Sequence, residues 1–187
     1  MERQKPGAYR SEFEQALRLF GRASEAMKAR GLPAPVLVGG AAVEIYSKGA
    51  INTGDFDIAT PWQAEPEDEL ESLGFVRPAG RGRATRGLIH PDLRLGFEIV
   101  SGSLLDGMAD RERVQLIDLG EDGEAAVISV EDMIADRMGQ YASGTAPEML
   151  VQARRLFSLH RDADRHYMEM RIRHETVGDY GVEDLKD

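Results

Sequence analysis

The stretch from Val36 to Thr60, VLVGGAAVEIYSKGAINTGDFDIAT, constrains the fold of this chain more than any other. An apolar run ends at Gly39–Gly40, a short helical pattern follows, and a second apolar run carries Asp55 and Asp57. Because successive side chains of a strand point to opposite faces, the two aspartates should lie side by side on one face. The apolar residues that alternate with them should turn to the core. The sequence therefore predicts a strand, a glycine turn, a helix and a strand that presents two carboxylates.

Paired carboxylates need a compensating charge. Two carboxylates about 5 Å apart repel by roughly 3 kcal/mol at an effective dielectric constant near 20. A hard divalent cation such as Mg²⁺ or Mn²⁺, which prefers oxygen ligands, offsets that cost. A Gly-Gly turn before a helix lets backbone N–H groups approach a triphosphate, whose bridging Mg²⁺ the aspartates would hold. The alternative is a solvated strand end, because Asp-x-Asp is common by chance.

Composition narrows the class of protein. Apolar residues make up 42% of the 187 residues, enough for a hydrophobic core, in one domain or in a core with an appendage. A net charge of -10 argues against a surface that coats nucleic acid, and the lack of cysteine excludes disulfides and thiolate metal sites. The first residues lack the apolar segment of a secretory signal, and no apolar run approaches the ~20 residues that span a bilayer. We expect a soluble, cytoplasmic protein.

Hydrophobic periodicity predicts an α+β fold, in which helices flank a mixed sheet and a helical part follows. Ser11 and Glu14 suggest a capping box at the start of the first helix, and the tail from Glu175 is expected to be exposed. The composition changes at Ser129, which divides the chain into an α/β core with its N-terminal helix (1–128) and a helical region (129–187). Predicted helices are 11–30, 41–47, 65–73, 129–141, one from about 147, and 162–174; predicted strands are 36–38, 55–59, 75–76, 88–90, 93–100, 114–119 and 125–129.

This pattern resembles the nucleotidyltransferase superfamily that shares the DNA polymerase β palm. Within it, the chain is most similar to the small prokaryotic group that includes the AbiEii-type toxins of type IV toxin–antitoxin systems. Gly39–Gly40, Thr53, Asp55 and Asp57 match the group's pattern as they stand. The resemblance implies a third carboxylate on a later strand, and Glu98 is a charge inside an otherwise apolar strand. The alternative is that Glu98 points outward beside a basic neighbour.

A second resemblance lies in Ile128–Arg137, ISVEDMIADR. Family members often have a strand, then Ser-x-Glu-Asp-Leu and a lysine in the opening turns of a helix. Met133 stands here for the leucine and Arg137 for the lysine, which implies that Arg137 faces the nucleotide with forked geometry. The alternative is an ordinary capping box with an exposed arginine. Ile51 departs from the pattern, because relatives often carry arginine there.

The resemblance implies a metal-dependent transfer of a nucleoside monophosphate from an NTP to an acceptor hydroxyl, with release of pyrophosphate. Asp55 and Asp57 would hold the metal ions, Glu98 would complete the site and help to take the proton, and Gly39–Gly40 would seat the phosphates. The acceptor stays open among tRNA, a protein and a small molecule. A catalytically weakened nucleotide- or partner-binding module and an antitoxin-like partner are the alternatives. The arginine-rich loop 77–86 suggests either a grip on triphosphate or RNA, or a solvated loop.

Overall fold

The computed structural model describes residues 9–78 and 87–186. The helices are α1 Ser11–Ala29, α2 Gly39–Tyr46, α3 Ala64–Ser72, α4 Val130–Ala142, α5 Glu148–Leu159 and α6 Arg165–Glu175. The strands are β1 Val36–Val38, β2 Asp55–Ala59, β3 Leu88–His90, β4 Leu95–Ser101, β5 Gln115–Asp118 and β6 Glu124–Val127. They form one mixed sheet in the order β3-β4-β2-β1-β6-β5, so the predicted α+β fold is confirmed. No helix within the described ranges combines the length and the apolarity needed to cross a membrane.

The strand pairing brings the predicted site residues to the middle of the sheet. β1 runs antiparallel to β2, which places Val38, the residue before the glycine pair, opposite Asp57. β2 runs parallel to β4, which places Asp57 opposite Glu98. β1 also runs parallel to β6, the strand that leads into α4. The glycine turn, the aspartate strand and the strand of Glu98 are therefore neighbours.

An aromatic cluster supports the opposite face of β2. Phe56, between the two aspartates, is fully buried and stacks on Phe97 of β4, with ring centroids 4.5 Å apart. Phe13 of α1 packs on Phe56 at 5.0 Å, and Phe75 packs on Phe97 at 4.5 Å. Burying such rings contributes about 1.5–3 kcal/mol each. One face of β2 is thus buried in the core, and the other face carries the carboxylates.

The C-terminal helices pack on one another around a buried ion pair. Arg171 of α6 donates from Nε to Asp132 Oδ1 of α4 over 2.7 Å, and both side chains are almost inaccessible. Ser129 caps α4, as predicted, by accepting a hydrogen bond from the Asp132 N–H. The proposed division of the chain at residue 128 remains a prediction.

Three local predictions are wrong. Arg10, not Ser11, is the N-cap of α1, and no side chain caps this helix. The segment after Glu175 is not an exposed tail, because Thr176, Val182 and Leu185 are buried. The predicted strand 75–76 is reduced to a single bridge between Val76 and Ile89.

Candidate active site

Asp55 and Asp57 lie on the face of β2 that points away from the aromatic cluster. Asp55 is exposed and Asp57 is half-buried. Asp55 lies opposite Gly96 of β4, and a Cβ atom at Gly96 would come within 2.5 Å of Asp55 Oδ1. Gly96 therefore makes room for the first carboxylate. Gly96 was not predicted as a site residue from the sequence, although a glycine inside a strand often marks a close approach.

The glycine turn lies directly against the second aspartate. The Gly40 N–H donates to Asp57 Oδ2 over 3.1 Å. Gly39 has φ +53°, and a Cβ atom there would overlap with the Asp57 carboxylate. A Cβ atom at Gly40 would overlap with Thr53 Oγ1. Both glycines are thus needed sterically, which the sequence pattern alone did not explain.

Thr53 connects the glycine turn to the aspartate strand. Its Oγ1 donates to the Asp55 carbonyl over 3.0 Å and accepts from the Asp55 N–H over 3.3 Å. Its own N–H donates to Oε2 of Glu44 over 2.6 Å. Glu44 is a fully buried carboxylate of α2 that pairs with Arg10. Neither Glu44 nor Arg10 was identified from the sequence, although a glutamate within the apolar run of α2 was a usable signal.

Glu98 is half-buried and lies on β4 in register with Asp57. Residues opposite each other on neighbouring strands are about 5 Å apart, so the structure brings Glu98 beside the aspartate pair. Glu98 borders a cavity of about 500 Å³ that Glu67 and Arg77 also line. Arg77 forms its ion pairs with Glu67 and Glu71 rather than with Glu98, and the interpretation of Glu98 as an outward residue beside a basic neighbour stays open.

Arg137 is buried, so the exposed arginine of the alternative interpretation is wrong, although Ser129 does cap α4. Its side chain is 7% accessible and donates from Nη1 to Asp136 Oδ2 over 3.2 Å. Within the described part of the chain, its buried Nε has no hydrogen-bond partner. Arg137 lines a cavity of about 410 Å³ together with Gly39 and Asp57. An orphaned buried donor beside a carboxylate and a glycine turn fits an anionic ligand.

The comparisons with known proteins support the architecture. No family model and no curated protein matches the sequence. An antigenic nucleotidyltransferase-like protein from Paracoccidioides brasiliensis superposes with a TM-score of 0.56 at 12% identity, covering 91% of this chain and 90% of that one. The antibiotic-resistance factor ANT(2'')-Ia superposes with a TM-score of 0.52 at 18% identity, covering 86% of this chain and 90% of that one. The fold is that of the nucleotidyltransferases. These identities establish the fold alone, and the narrower similarity to AbiEii-type toxins stays a prediction.

Electrostatics within this nucleotidyltransferase fold favours a cation beside Asp57. Burial raises the pKa of Asp57, and the neighbouring charges of Asp55 and Glu98 raise it further. The hydrogen bond from Gly40 and the charge of Arg137 act in the opposite direction on the same pKa. Burial in turn lowers the pKa of Arg137, against the charges of Asp136 and Asp57.

The chemistry of the donor set fits Mg²⁺ or Mn²⁺, since hard divalent ions bind carboxylate oxygens. Asp55, Asp57 and Glu98 supply these oxygens from two adjacent strands. Among the residues that the structure describes, no three acidic or histidine side chains are already drawn together tightly enough to hold a metal ion. The donor chemistry and the strand register fit the ion, and the metal site itself stays a prediction.

Of the four arginines in the arginine-rich loop, one is a described residue. Arg77 forms ion pairs with Glu67 at 2.6 Å and Glu71 at 3.0 Å, so its charge is engaged within the fold. The remaining arginines of the loop, Arg81, Arg83 and Arg86, lie outside the described residues.

Proposed function

We propose that this chain transfers a nucleoside monophosphate from an NTP to an acceptor hydroxyl and releases pyrophosphate. The observation that carries the proposal is the register of β2 and β4, which sets Asp57 opposite Glu98. Asp55 lies above Gly96 in the same pairing. Nucleotidyl transfer needs carboxylates on one surface, next to a site that can bind phosphates. The face of β2 that carries the aspartates would supply the carboxylates, and the neighbouring glycine turn would bind the phosphates.

The reacting bonds assign a role to each side chain. The acceptor oxygen forms a bond to the α-phosphorus of the NTP, and the bond from that phosphorus to the bridging oxygen of the β-phosphate breaks. The pyrophosphate leaves with the electron pair. Glu98 would accept the proton of the acceptor hydroxyl, because it lies beside Asp57 and borders the cavity on the β3 side.

Asp55, Asp57 and Glu98 would hold Mg²⁺ or Mn²⁺. When bound, the metal neutralises charge on the phosphates and orients the attacking and leaving oxygens. The residues themselves orient the donor: the Gly39–Gly40 turn would take phosphate oxygens on its N–H groups, and Thr53 would hold the turn against Asp55.

Arg137 would bind the triphosphate from the side of α4. Its orphaned Nε and the cavity of about 410 Å³ that it shares with Asp57 support this role. A planar guanidinium can bind phosphate through two parallel hydrogen bonds, which a lysine at this position could not. We propose that the protein acts in the cytoplasm, where NTPs are present.

The first test removes one carboxylate of the pair. Asp57→Asn keeps the size of the side chain and its ability to accept from Gly40, but it loses a charged ligand. Because disturbing the residues around metal ligands alone costs about 10–100-fold, we expect Mg²⁺-dependent NTP consumption to fall by at least about 100-fold. Asp68→Asn, at an exposed residue of α3, is the matched control and should keep wild-type turnover. Full activity of Asp57→Asn would refute the mechanism.

A second candidate is a catalytically weakened module that binds nucleotide or a partner protein, such as an antitoxin. The observation that favours it is Ile51, which packs against the core where relatives often carry arginine. Calorimetry with an NTP and Mg²⁺ separates the two candidates. Heat of binding without turnover supports the module, whereas turnover supports the transferase. Incubating the protein with a labelled NTP and a cell lysate would identify the acceptor, whether tRNA, a protein or a small molecule, as the molecule that becomes labelled.

A further inference from the structure

We propose that Arg10 and Glu44 form a positioning pair that holds Thr53, and through Thr53 the carboxylate of Asp55, in its place at the metal site. The proposal rests on the proposed function, since it assigns how that metal site is kept in register. Neither residue belongs to the glycine turn or to the carboxylate strands.

The pair holds the backbone of Thr53 on both sides. Glu44 Oε2 accepts from the Thr53 N–H over 2.6 Å, and Arg10 Nη2 donates to the Thr53 carbonyl. The two side chains also bind each other, with Arg10 Nε and Nη2 each 3.2 Å from a different oxygen of Glu44. Every polar group of the Thr53 backbone is therefore bound by this one ion pair.

Burial makes the pair interdependent. The Glu44 side chain is fully inaccessible, while that of Arg10 is 34% accessible. A buried carboxylate without its partner is strongly unfavourable, so Glu44 needs a cation within reach. Arg10 supplies it from the residue before α1, with its backbone at the N-cap and its side chain directed to α2. Ile51, in the loop itself, offers no charge for this purpose.

Thr53 transmits this constraint to the first carboxylate. Its hydroxyl binds both backbone polar groups of Asp55, and its Oγ1 packs on Gly40 so closely that no Cβ atom would fit there. By contrast, Gly54 has no atoms near the position where a Cβ would lie. The polar loop before β2 is thus anchored at Thr53, and the hydrogen bonds from Thr53 fix the position of the Asp55 backbone. Partners that orient metal ligands in this way commonly matter 10–100-fold for metal affinity.

The experiment measures Mn²⁺ binding by electron paramagnetic resonance in the absence of nucleotide, together with amide hydrogen exchange at Thr53 and Asp55. The variants are Arg10→Gln and Arg10→Lys. Arg30→Gln is the matched control, because Arg30 also extends from the end of α1 to a single carboxylate, Glu69, at 3.0 Å. Thermal melts verify that each variant is folded.

We expect Arg10→Gln to weaken Mn²⁺ binding by roughly 10-fold or more and to accelerate exchange at both amides by a similar factor. Arg10→Lys keeps the charge but loses the forked guanidinium, so its Mn²⁺ affinity and its exchange rates should lie between those of the wild type and Arg10→Gln. Arg30→Gln should change neither the Mn²⁺ affinity nor the exchange rates. If Arg10→Gln does not fold, Arg10→Lys alone must still show weaker binding and faster exchange.

Wild-type Mn²⁺ affinity and wild-type exchange in the Arg10 variants would overturn the positioning role. Unchanged affinity with faster exchange would also overturn it, because the anchor would then not reach Asp55. If the wild type itself binds no Mn²⁺, the metal-dependent function fails, and with it the role of the pair at a metal site. The exchange data would then still show whether the pair anchors the loop, which separates the two failures.

Discussion

Arg171 is the largest side chain that the described residues bury completely, and it carries a positive charge. Its Nε binds Asp132 at 2.7 Å and its Nη2 binds Glu175 at 2.6 Å. Tyr167 also donates to Asp132, which leaves no oxygen of this carboxylate unused. The buried charges of Arg171 and Asp132 therefore neutralise each other, and both oxygens of the Asp132 carboxylate accept hydrogen bonds.

Removing one member of that pair should be costly. Arg171→Met keeps the volume and the apolar stem but leaves Asp132 without its cation, so we expect a loss of about 3–5 kcal/mol in the free energy of unfolding. Urea denaturation followed by circular dichroism measures it. Arg30→Met, which removes a half-exposed pair with Glu69, should cost at most about 1 kcal/mol. Equal losses in the two variants would show that burial of the Arg171 pair is not decisive.

The partners in the buried ion pairs were the part of the molecule that the sequence could not reveal. Periodicity identifies which side chains face the core only when they are apolar. Glu44 and Arg171 occupy inward positions on their helices because partners far away in the chain, Arg10 and Asp132, satisfy them. Residue type favours Ser11 as the N-cap, but Arg10 takes that position while its side chain binds Glu44.

At the scale of elements, the unit from β1 to β2 could be predicted closely. The apolar runs, the glycine pair and the alternation around Asp55 and Asp57 determine these elements locally, and both strands have the predicted bounds. β4 begins at Leu95, two residues after the predicted start, because Arg94 adopts φ +55° and belongs to the turn. The register that sets Glu98 beside Asp57 depends on the pairing of distant strands, which periodicity does not specify.

The contact between the glycine turn and Thr53 leads to a prediction at this scale. Gly40→Ala would push a Cβ atom into Thr53 Oγ1, and we expect a loss of about 1–3 kcal/mol in stability because overpacking forces neighbours to move. Gly54→Ala is the control, since nothing lies within 4 Å of the added atom, and it should leave stability unchanged or raise it by up to about 1 kcal/mol.

A double-mutant cycle verifies the cause of that loss. In a Thr53→Ala background the hydroxyl is gone, so the cost of Gly40→Ala, measured by urea denaturation, should become smaller. The same cost in both backgrounds would contradict direct packing of Thr53 on the turn.

At the scale of the whole molecule, residues from both sides of the predicted boundary at residue 128 line the cavity beside Asp57. The core contributes the glycine turn and the three carboxylates, while α4, from the predicted C-terminal region, contributes Arg137 to the cavity beside Asp57. The division into a core and a C-terminal region stays a prediction, as does the orientation of Arg137 toward a nucleotide that the resemblance implies. The burial of Arg137 depends on the folded chain, which places it beside Asp136 and in one cavity with Asp57. The net charge of -10 does not prevent a local cationic position, because one inward arginine is sufficient.

The measurement that tests nucleotidyl transfer most directly follows the two ends of the triphosphate. Each NTP is labelled separately on the α- and the γ-phosphate and incubated with the protein, Mg²⁺, total RNA and a cell lysate. We predict that the α-label becomes attached to an acceptor while the γ-label is recovered in pyrophosphate, and that Asp57→Asn abolishes both. Transfer or release of the γ-phosphate alone, or attachment of the α-label that persists in Asp57→Asn, would contradict the proposed reaction.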